Sequence, residues 1–327
     1  MLTLAQLQER FPGKTPEKIS ALVGMIDDPG KQEQYPMELD LQSTHNLLLV
    51  GESGCGKTAM IQTMLLNLAQ RYTPEQVNFY ILDFSSKLLT QFRRIPHCGI
   101  VLTDEDEPSI DRLFEMITDE TKRRQKLFAQ AEVNSYEAYC RVEKLPLWVV
   151  VIDGVVNFTS IKKGNFYYST IHDFMRDGAP YGIKFVLAGG HYNEFSMRVR
   201  QEASEHIGMN QKDKYGYFDI LGCKTEYLPP CLPGRGLCIW EEQPLEFQGA
   251  ILSDSEDQQA AAQQLRAALD EIAARDAAYP RPCVCRWWKK ARATQNSAKS
   301  LRPCASRWAT TSRMQSRWRC RCARPSR

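Results

Sequence analysis

Short apolar runs recur along this chain at intervals filled by helical patterns. Residues 46–50, 77–84, 147–153 and 183–189 are each almost continuously hydrophobic and rich in branched or aromatic side chains. Runs of that length, bounded by polar turns, predict buried strands. Between them, residues 59–70, 106–130, 135–142 and 168–175 carry apolar positions near helical spacing; Ile110, Leu113, Phe114, Ile117, Leu127 and Phe128 mark the longest stripe. Residues 37–41 read as an edge strand and 99–103 as a short inner one. Strands alternating with helices predict an α/β fold, a mostly parallel sheet with helices on both faces.

The two ends read differently. Residues 1–30 suggest a helical lead-in that stops at Asp28-Pro29-Gly30. Beyond residue 200, segments 219–223, 236–240 and 246–252 suggest short strands separated by Pro229-Pro230 and Pro233-Gly234 turns. An Ala- and Gln-rich amphipathic helix is expected over 253–275, so that one domain spans 31–278.

Composition changes the picture only at the end. The 327 residues carry a formal net charge of +3. Residues 281–327 hold 11 Arg and 3 Lys and no acid, which leaves the remainder with 28 basic against 39 acidic side chains. The body is thus acidic, an unfavourable balance for a nucleic-acid machine. The tail, 279–327, also concentrates Trp and Cys with no period that could build a core. Its composition is that of a GC-rich gene read out of frame. A disordered basic arm is the alternative, and a metal site on Cys283, Cys285, Cys320 and Cys322 a weaker one, because one-residue gaps are not the usual zinc spacing. The other six cysteines are scattered and expected to be reduced. No run reaches the ~18 apolar residues of a membrane span. The amino terminus lacks the basic and apolar regions of a signal peptide, so a cytoplasmic chain, held at a membrane only through a partner, is expected.

Candidate chemistry centres on Gly51-Glu52-Ser53-Gly54-Cys55-Gly56-Lys57-Thr58, which satisfies G-x-x-x-x-G-K-[ST] between a predicted strand and a predicted helix. Glycines let the backbone curl and aim its N–H groups inward, and the following helix adds its positive end. Lys57 would reach the β- and γ-phosphates of ATP, and Thr58 would ligate Mg²⁺. Cys55 is read as a tolerated small residue. A second acid at the end of a hydrophobic strand is needed for the metal, and Trp148-Val149-Val150-Val151-Ile152-Asp153 supplies it in Asp153. Efficient ATPases usually place a glutamate next. Here Gly154 follows, and no carboxylate comes until Asp173. Glycine cannot orient or deprotonate water, so nucleotide binding with slow or absent hydrolysis is expected. Asp83 and His191, each at a strand end, are candidate sensors of the γ-phosphate. Arg198, Arg200 and Arg235 are candidate arginine fingers toward a neighbouring subunit.

Several further stretches resemble the FtsK/SpoIIIE family of hexameric motor ATPases, and within it the last ATPase domain of the EssC/EccC coupling proteins of type VII secretion. They are FYILDFSSKLLTQFRRIPHCG at 79–99, RRQKLF at 123–128, LPLWVVVID at 145–153, GAPYGIKFVLAGGHYNE at 178–194, KDKYGYFDILG at 212–222 and LPGRGL at 232–237. The resemblance implies a RecA-like P-loop domain that binds Mg·ATP. It also implies neighbouring ATPase domains in a larger membrane-anchored protein, a hexameric assembly, and a small helical WXG-type export substrate whose C-terminal signal docks on a domain degenerate at its second acidic motif. Two other functions fit a P-loop of this kind: a DNA translocase or conjugative coupling ATPase of the same family, and a non-catalytic scaffold that ATP holds in shape.

Overall fold

The computed structural model describes residues 2–12, 18–43, 46–253 and 258–282. In chain order the elements are α1 (Leu4–Arg10), β1 (Ser20–Asp28), β2 (Glu33–Asp40), β3 (Leu47–Val50), α2 (Lys57–Arg71), β4 (Val77–Asp83), β5 (Cys98–Leu102), α3 (Glu107–Gln130), α4 (Tyr136–Cys140), β6 (Leu147–Asp153), α5 (Val155–Ser160), α6 (Gly164–Gly178), β7 (Ile183–Gly189), α7 (Met197–Gln201), β8 (Glu205–Met209), α8 (Lys214–Leu221), β9 (Arg235–Trp240), β10 (Gln243–Gly249) and α9 (Gln258–Arg275). The predicted tail calls lie outside the described residues, apart from its first few positions.

One sheet runs β2-β1-β10-β9-β8-β3-β7-β6-β4-β5. From β8 to β5 all neighbours are parallel. Strands β3, β4, β6 and β7 are buried at every position, which is what a parallel strand covered on both faces requires. One face packs Leu49, Ile81, Val149 and Val186 with α2 and α9, and the other packs Val50, Leu82, Val150 and Leu187 with α3, α5 and α6. The RecA-like α/β reading therefore holds.

Three local expectations are corrected. Residues 20–28 form a strand, not the end of a helical lead-in, and only Leu4–Arg10 is helical there. Strand β1 lies between β2 and β10, and a Cβ on Gly24 would come within 2.5 Å of the Gln248 carbonyl oxygen. That close pairing is a long-range fact invisible in a local pattern. Residues 219–223 are not a strand. They end α8, which starts at the Asp213 cap, whose Oδ1 accepts from Gly216 N, and stops at Gly222 with φ 70°. Finally, β8 was not anticipated. Its polar start, Glu205-His206, hides a strand that pairs directly with β3.

The added strands β2, β1, β10 and β9 form an antiparallel wing on the edge beyond β8. A guanidinium anchors the other half. Arg124, fully buried, donates to the carbonyl oxygens of Pro146 at 2.8 Å and Tyr181 at 2.7 Å and to Glu120 at 2.8 Å. It thereby ties α3 to the entrances of β6 and β7. Every donor is charge-assisted, so the buried cation is compensated.

Lys184 in β7 is only 4% exposed, and burial lowers its ammonium pKa to about 8. The unfolded chain keeps this proton up to its ordinary value of 10.5, while the folded chain releases it near 8. Stability attributable to this group therefore rises with pH between those values. Lys184→Met is expected to stabilise the protein at pH 7 by about 1–3 kcal/mol. The gain over wild type should shrink as pH climbs through that window in thermal or urea melts, and a pH-independent difference would contradict the assignment.

Candidate functional site

The phosphate loop joins β3 to α2. Its tight geometry follows from three glycines. Gly54 and Gly56 sit at φ 79° and 102°, and a Cβ on Gly51 would approach the Met209 carbonyl oxygen to 2.6 Å and Cys55 Sγ to 2.7 Å. Lys57 folds back into the loop, where its Nζ donates to the carbonyl oxygens of Gly51 at 2.6 Å and Glu52 at 2.9 Å. Cys55 is buried inside, and that burial pushes its thiol up, against the pull of Lys57. It is a packing residue, not a reactive one. Glu52 pairs at the surface with Lys212 at 3.3 Å. Ser53 and Gly54 are exposed at the crest of the loop.

Strand β7 separates β3 from β6, so the second acid stands two strands away from the loop. Thr58 bridges that gap: its Oγ1 donates to Asp153 Oδ2 at 2.6 Å. The other oxygen, Asp153 Oδ1, is buried and has no partner among the described residues. Burial, with a smaller contribution from the charge of Asp83, pushes the Asp153 carboxyl up to about 6, while the Thr58 hydrogen bond and Lys57 pull it down. An orphaned buried carboxylate oxygen beside a threonine hydroxyl and a lysine is a donor set that suits a magnesium nucleotide. Thr58 and Asp153 would hold the cation, and Lys57 with the loop amides would hold the phosphates. The bound cation would neutralise phosphate charge; the chain's own contribution is to fix the donors that receive it.

Other predicted residues fall into different roles. Asp83 adjoins Asp153 in register but is fully buried, and its oxygens accept the amides of Ser85 at 3.2 Å, Lys87 at 3.0 Å and Leu89 at 2.9 Å. Its carboxylate shapes that turn by accepting three amides. His191 is exposed just beyond β7, and its ring makes no hydrogen bond among the described residues. Beside it, Glu194 Oε2 accepts from Gly190 N at 2.7 Å, a contact that no motif flagged. Arg200 stacks its guanidinium 4.3 Å over Tyr192 and donates to the Phe195 carbonyl oxygen at 2.7 Å. Arg235 is held by Glu246 and by Gln248 at 2.9 Å. Of the three candidate fingers, Arg198 is the exposed one. The sequence reading also missed the wall on the far side of the loop: Gly234 N donates to the Cys55 carbonyl oxygen at 2.8 Å, and Asn210 O accepts from Glu52 N at 3.4 Å.

Gly154 is more than a missing carboxylate. It caps α5 with φ 88° and ψ 61°. A Cβ there would meet the Phe84 carbonyl at 3.1 Å and Ser85 N at 3.2 Å. The backbone after Asp153 is thus built for glycine. Gly154→Ala and Gly154→Glu are both expected to cost about 1–3 kcal/mol of stability in thermal unfolding, and Gly154→Glu is expected to add no ATP turnover. A Gly154→Glu protein as stable as wild type and hydrolysing ATP faster would refute this.

Residues 17–275 match the model of the FtsK/SpoIIIE family. The ESX secretion system protein EccC of Geobacillus thermodenitrificans is 27% identical over 238 residues, which cover 72% of this chain but only 16% of that protein. A structure of ATPases 2 and 3 of EssC from Geobacillus thermodenitrificans superposes with a TM-score of 0.75 at 24% identity, covering 82% of this chain and 51% of that one. EccC ATPases 2 and 3 from Thermomonospora curvata, solved with a signal sequence peptide, superpose with a TM-score of 0.71 at 23% identity, covering 82% and 49%. This chain therefore matches a fraction of the length of these relatives and shares the fold of their ATPase domains. With its P-loop, its threonine–aspartate bridge and a family match over most of its length, the chain belongs to the FtsK/SpoIIIE family.

Proposed function

We propose that this chain is an ATP-binding, hydrolysis-deficient domain of a type VII secretion motor, and that its bound nucleotide stabilises a shape used to recognise an exported helical protein. The observation that carries the reading is the pair formed by Asp153 and Gly154. One oxygen of Asp153 is buried without a partner among the described residues, while the next position sits at φ 88° with the Phe84–Ser85 backbone 3.1–3.2 Å from any Cβ. Such a site can bind Mg·ATP tightly and still lack the group that orients the attacking water.

Neighbouring ATPase domains of the same motor are the natural partners, since the related proteins are several times longer than this chain. Arg198, exposed on α7, would be the candidate finger toward such a neighbour. The signal peptide held by the Thermomonospora curvata relative supports a peptide rather than a duplex as the recognised cargo. So does the acidic body, because DNA binding rests on phosphate neutralisation. Among the described residues no helix is long and apolar enough to cross a membrane. In this reading the domain works at the cytoplasmic face, attached through its parent motor.

Three measurements check it. Lys57→Ala should weaken binding of a fluorescent ATP analogue by about ten- to a hundredfold, as expected for losing charge-assisted bonds to phosphate; equal binding by both proteins would remove the site assignment. Steady-state turnover should stay below about 1 s⁻¹, under the range of working enzymes that transfer phosphoryl groups. In a pull-down, a helical-hairpin secretion substrate carrying its C-terminal signal should be retained in the presence of ATP, and a duplex DNA of similar mass should not; the opposite pattern would favour a DNA translocase.

A further inference from the structure

Strands β8 and β9 separate halfway along. They pair only at Gly208↔Leu237 and Met209↔Gly236. Beyond that ladder both strands continue, β8 back to Glu205 and β9 on to Trp240. Each is held there by its other neighbour: Glu205 pairs with Leu47 of β3, and Trp240 with Gln243 of β10. The sheet therefore forks. Carried across the gap, the same register sets Cys238 opposite Ile207 and Trp240 opposite Glu205. Strand β2, at the far edge of the wing, closes the fork into a cavity of about 160 Å³. That is the size at which a protein cavity takes up a molecule as large as benzene.

Ile26, Met37, Leu39 and Leu47 give the cavity aliphatic walls. Two of the acids that line it are already committed. Glu38 accepts from Ser20 Oγ at 2.8 Å and pairs with Arg71, and Asp40 accepts the amides of Gln42 at 3.0 Å and Ser43 at 2.8 Å. The third, Glu205, has no hydrogen bond or ion pair among the described residues, and burial pushes its carboxyl up to about 6. Trp240 also lines the cavity, and its Nε1 is buried with no partner among the described residues. The indole ring is held by Tyr35, stacked on it at 5.5 Å with an interplanar angle of 25°. A buried N–H without an acceptor and a desolvated carboxylate without a donor are both costly. Here the two stand on opposite strands of one fork.

We propose that the fork between β8 and β9 is a binding site for a small primary amide carried on a short aliphatic chain. The indole N–H can only donate and the carboxylate can only accept. A ligand that satisfies both must therefore present an acceptor and a donor, with an apolar body for the walls. A carboxamide does so on two separate atoms: its oxygen accepts from Trp240 Nε1, and its nitrogen donates to Glu205. A hydroxyl offers both functions from a single oxygen and reaches less far. An alkylammonium leaves the indole without an acceptor, and a carboxylate sets a second negative charge against Glu205. The site is independent of the nucleotide reading, because none of its lining residues belongs to the phosphate loop or to the Thr58–Asp153 bridge.

The test uses the full chain with isotope-labelled tryptophan and butyramide as the probe; butyrate, butylamine and butanol are the controls. The Trp240 indole N–H signal in NMR spectra, assigned by its loss in Trp240→Phe, should shift saturably with butyramide. The three controls should bind about tenfold more weakly or worse, the scale of one lost buried hydrogen bond. This comparison needs no substitution, so it stands even if a variant folds poorly. Glu205→Leu should weaken butyramide about tenfold or more, while Glu205→Gln, which keeps an acceptor, should weaken it less. Saturation transfer from protein to butyramide should fall in Trp240→Phe as it does in Glu205→Leu. A cavity that holds water only gives no saturable shift up to the solubility limit of butyramide. That result overturns the proposal, as does equal binding of amide, amine, acid and alcohol, or a butyramide affinity unchanged in Glu205→Leu.

Discussion

The hydrogen bond from Thr58 to Asp153 is the contact on which the functional reading depends. Adjacent strands stand about 4.8 Å apart, so β3 and β6, with β7 between them, are separated by about twice that. No backbone ladder joins the phosphate loop to the second acid. The first turn of α2 leans across instead and closes the distance with one hydroxyl at 2.6 Å. Strand β7 thus holds the phosphate loop and the second acid apart, and Thr58 spans the gap. The same bond uses only one oxygen of Asp153 and leaves the other buried and unsatisfied, a state that is costly unless a cation resolves it.

Two neighbouring carboxylates show how environment separates chemistry from architecture. Asp83 and Asp153 end adjacent parallel strands in register. Asp83 accepts three backbone amides and shapes the turn after β4. Asp153 accepts one hydroxyl and is pushed up to about 6, mainly by burial. Their sequence contexts look alike, each an acid closing an apolar run. Only the fold of the following loop commits Asp83 to scaffolding and leaves Asp153 with a buried oxygen that has no partner among the described residues.

The antiparallel wing extends this logic to the other side of the site. Strands β9 and β10 do not merely enlarge the sheet. Gly249 N donates to the Gly234 carbonyl oxygen at 2.7 Å, and Gly234 in turn bonds to the phosphate loop. At Gly24 the neighbouring backbone approaches too closely for a side chain, a Cβ there lying 2.5 Å from the Gln248 carbonyl oxygen, and Gly234 sits at φ 82°. The wing therefore sets the wall of the cradle with backbone alone, and its register, held by β1 against β10, carries that wall into place.

What local sequence determined was everything that depends on periodicity and on contiguous chemistry. The fully apolar runs specified the central parallel strands, because strands buried on both faces cannot alternate. The glycine spacing specified the phosphate loop, and the Ile152–Asp153–Gly154 junction specified both the second acid and the absence of its usual neighbour. What only tertiary structure decided was pairing and orientation. Strands β1 and β8 have mixed sequences that become strands because β10, β2 and β3 supply their hydrogen bonds; residues 219–223 end a helix because Asp213 caps it from upstream. The capture of Asp83 by loop amides, the in-chain clamps on Arg200 and Arg235, and the placing of Gly234 against Cys55 join residues as many as 179 positions apart. Such contacts are selected by the packing of whole elements, whose free energy no local window contains.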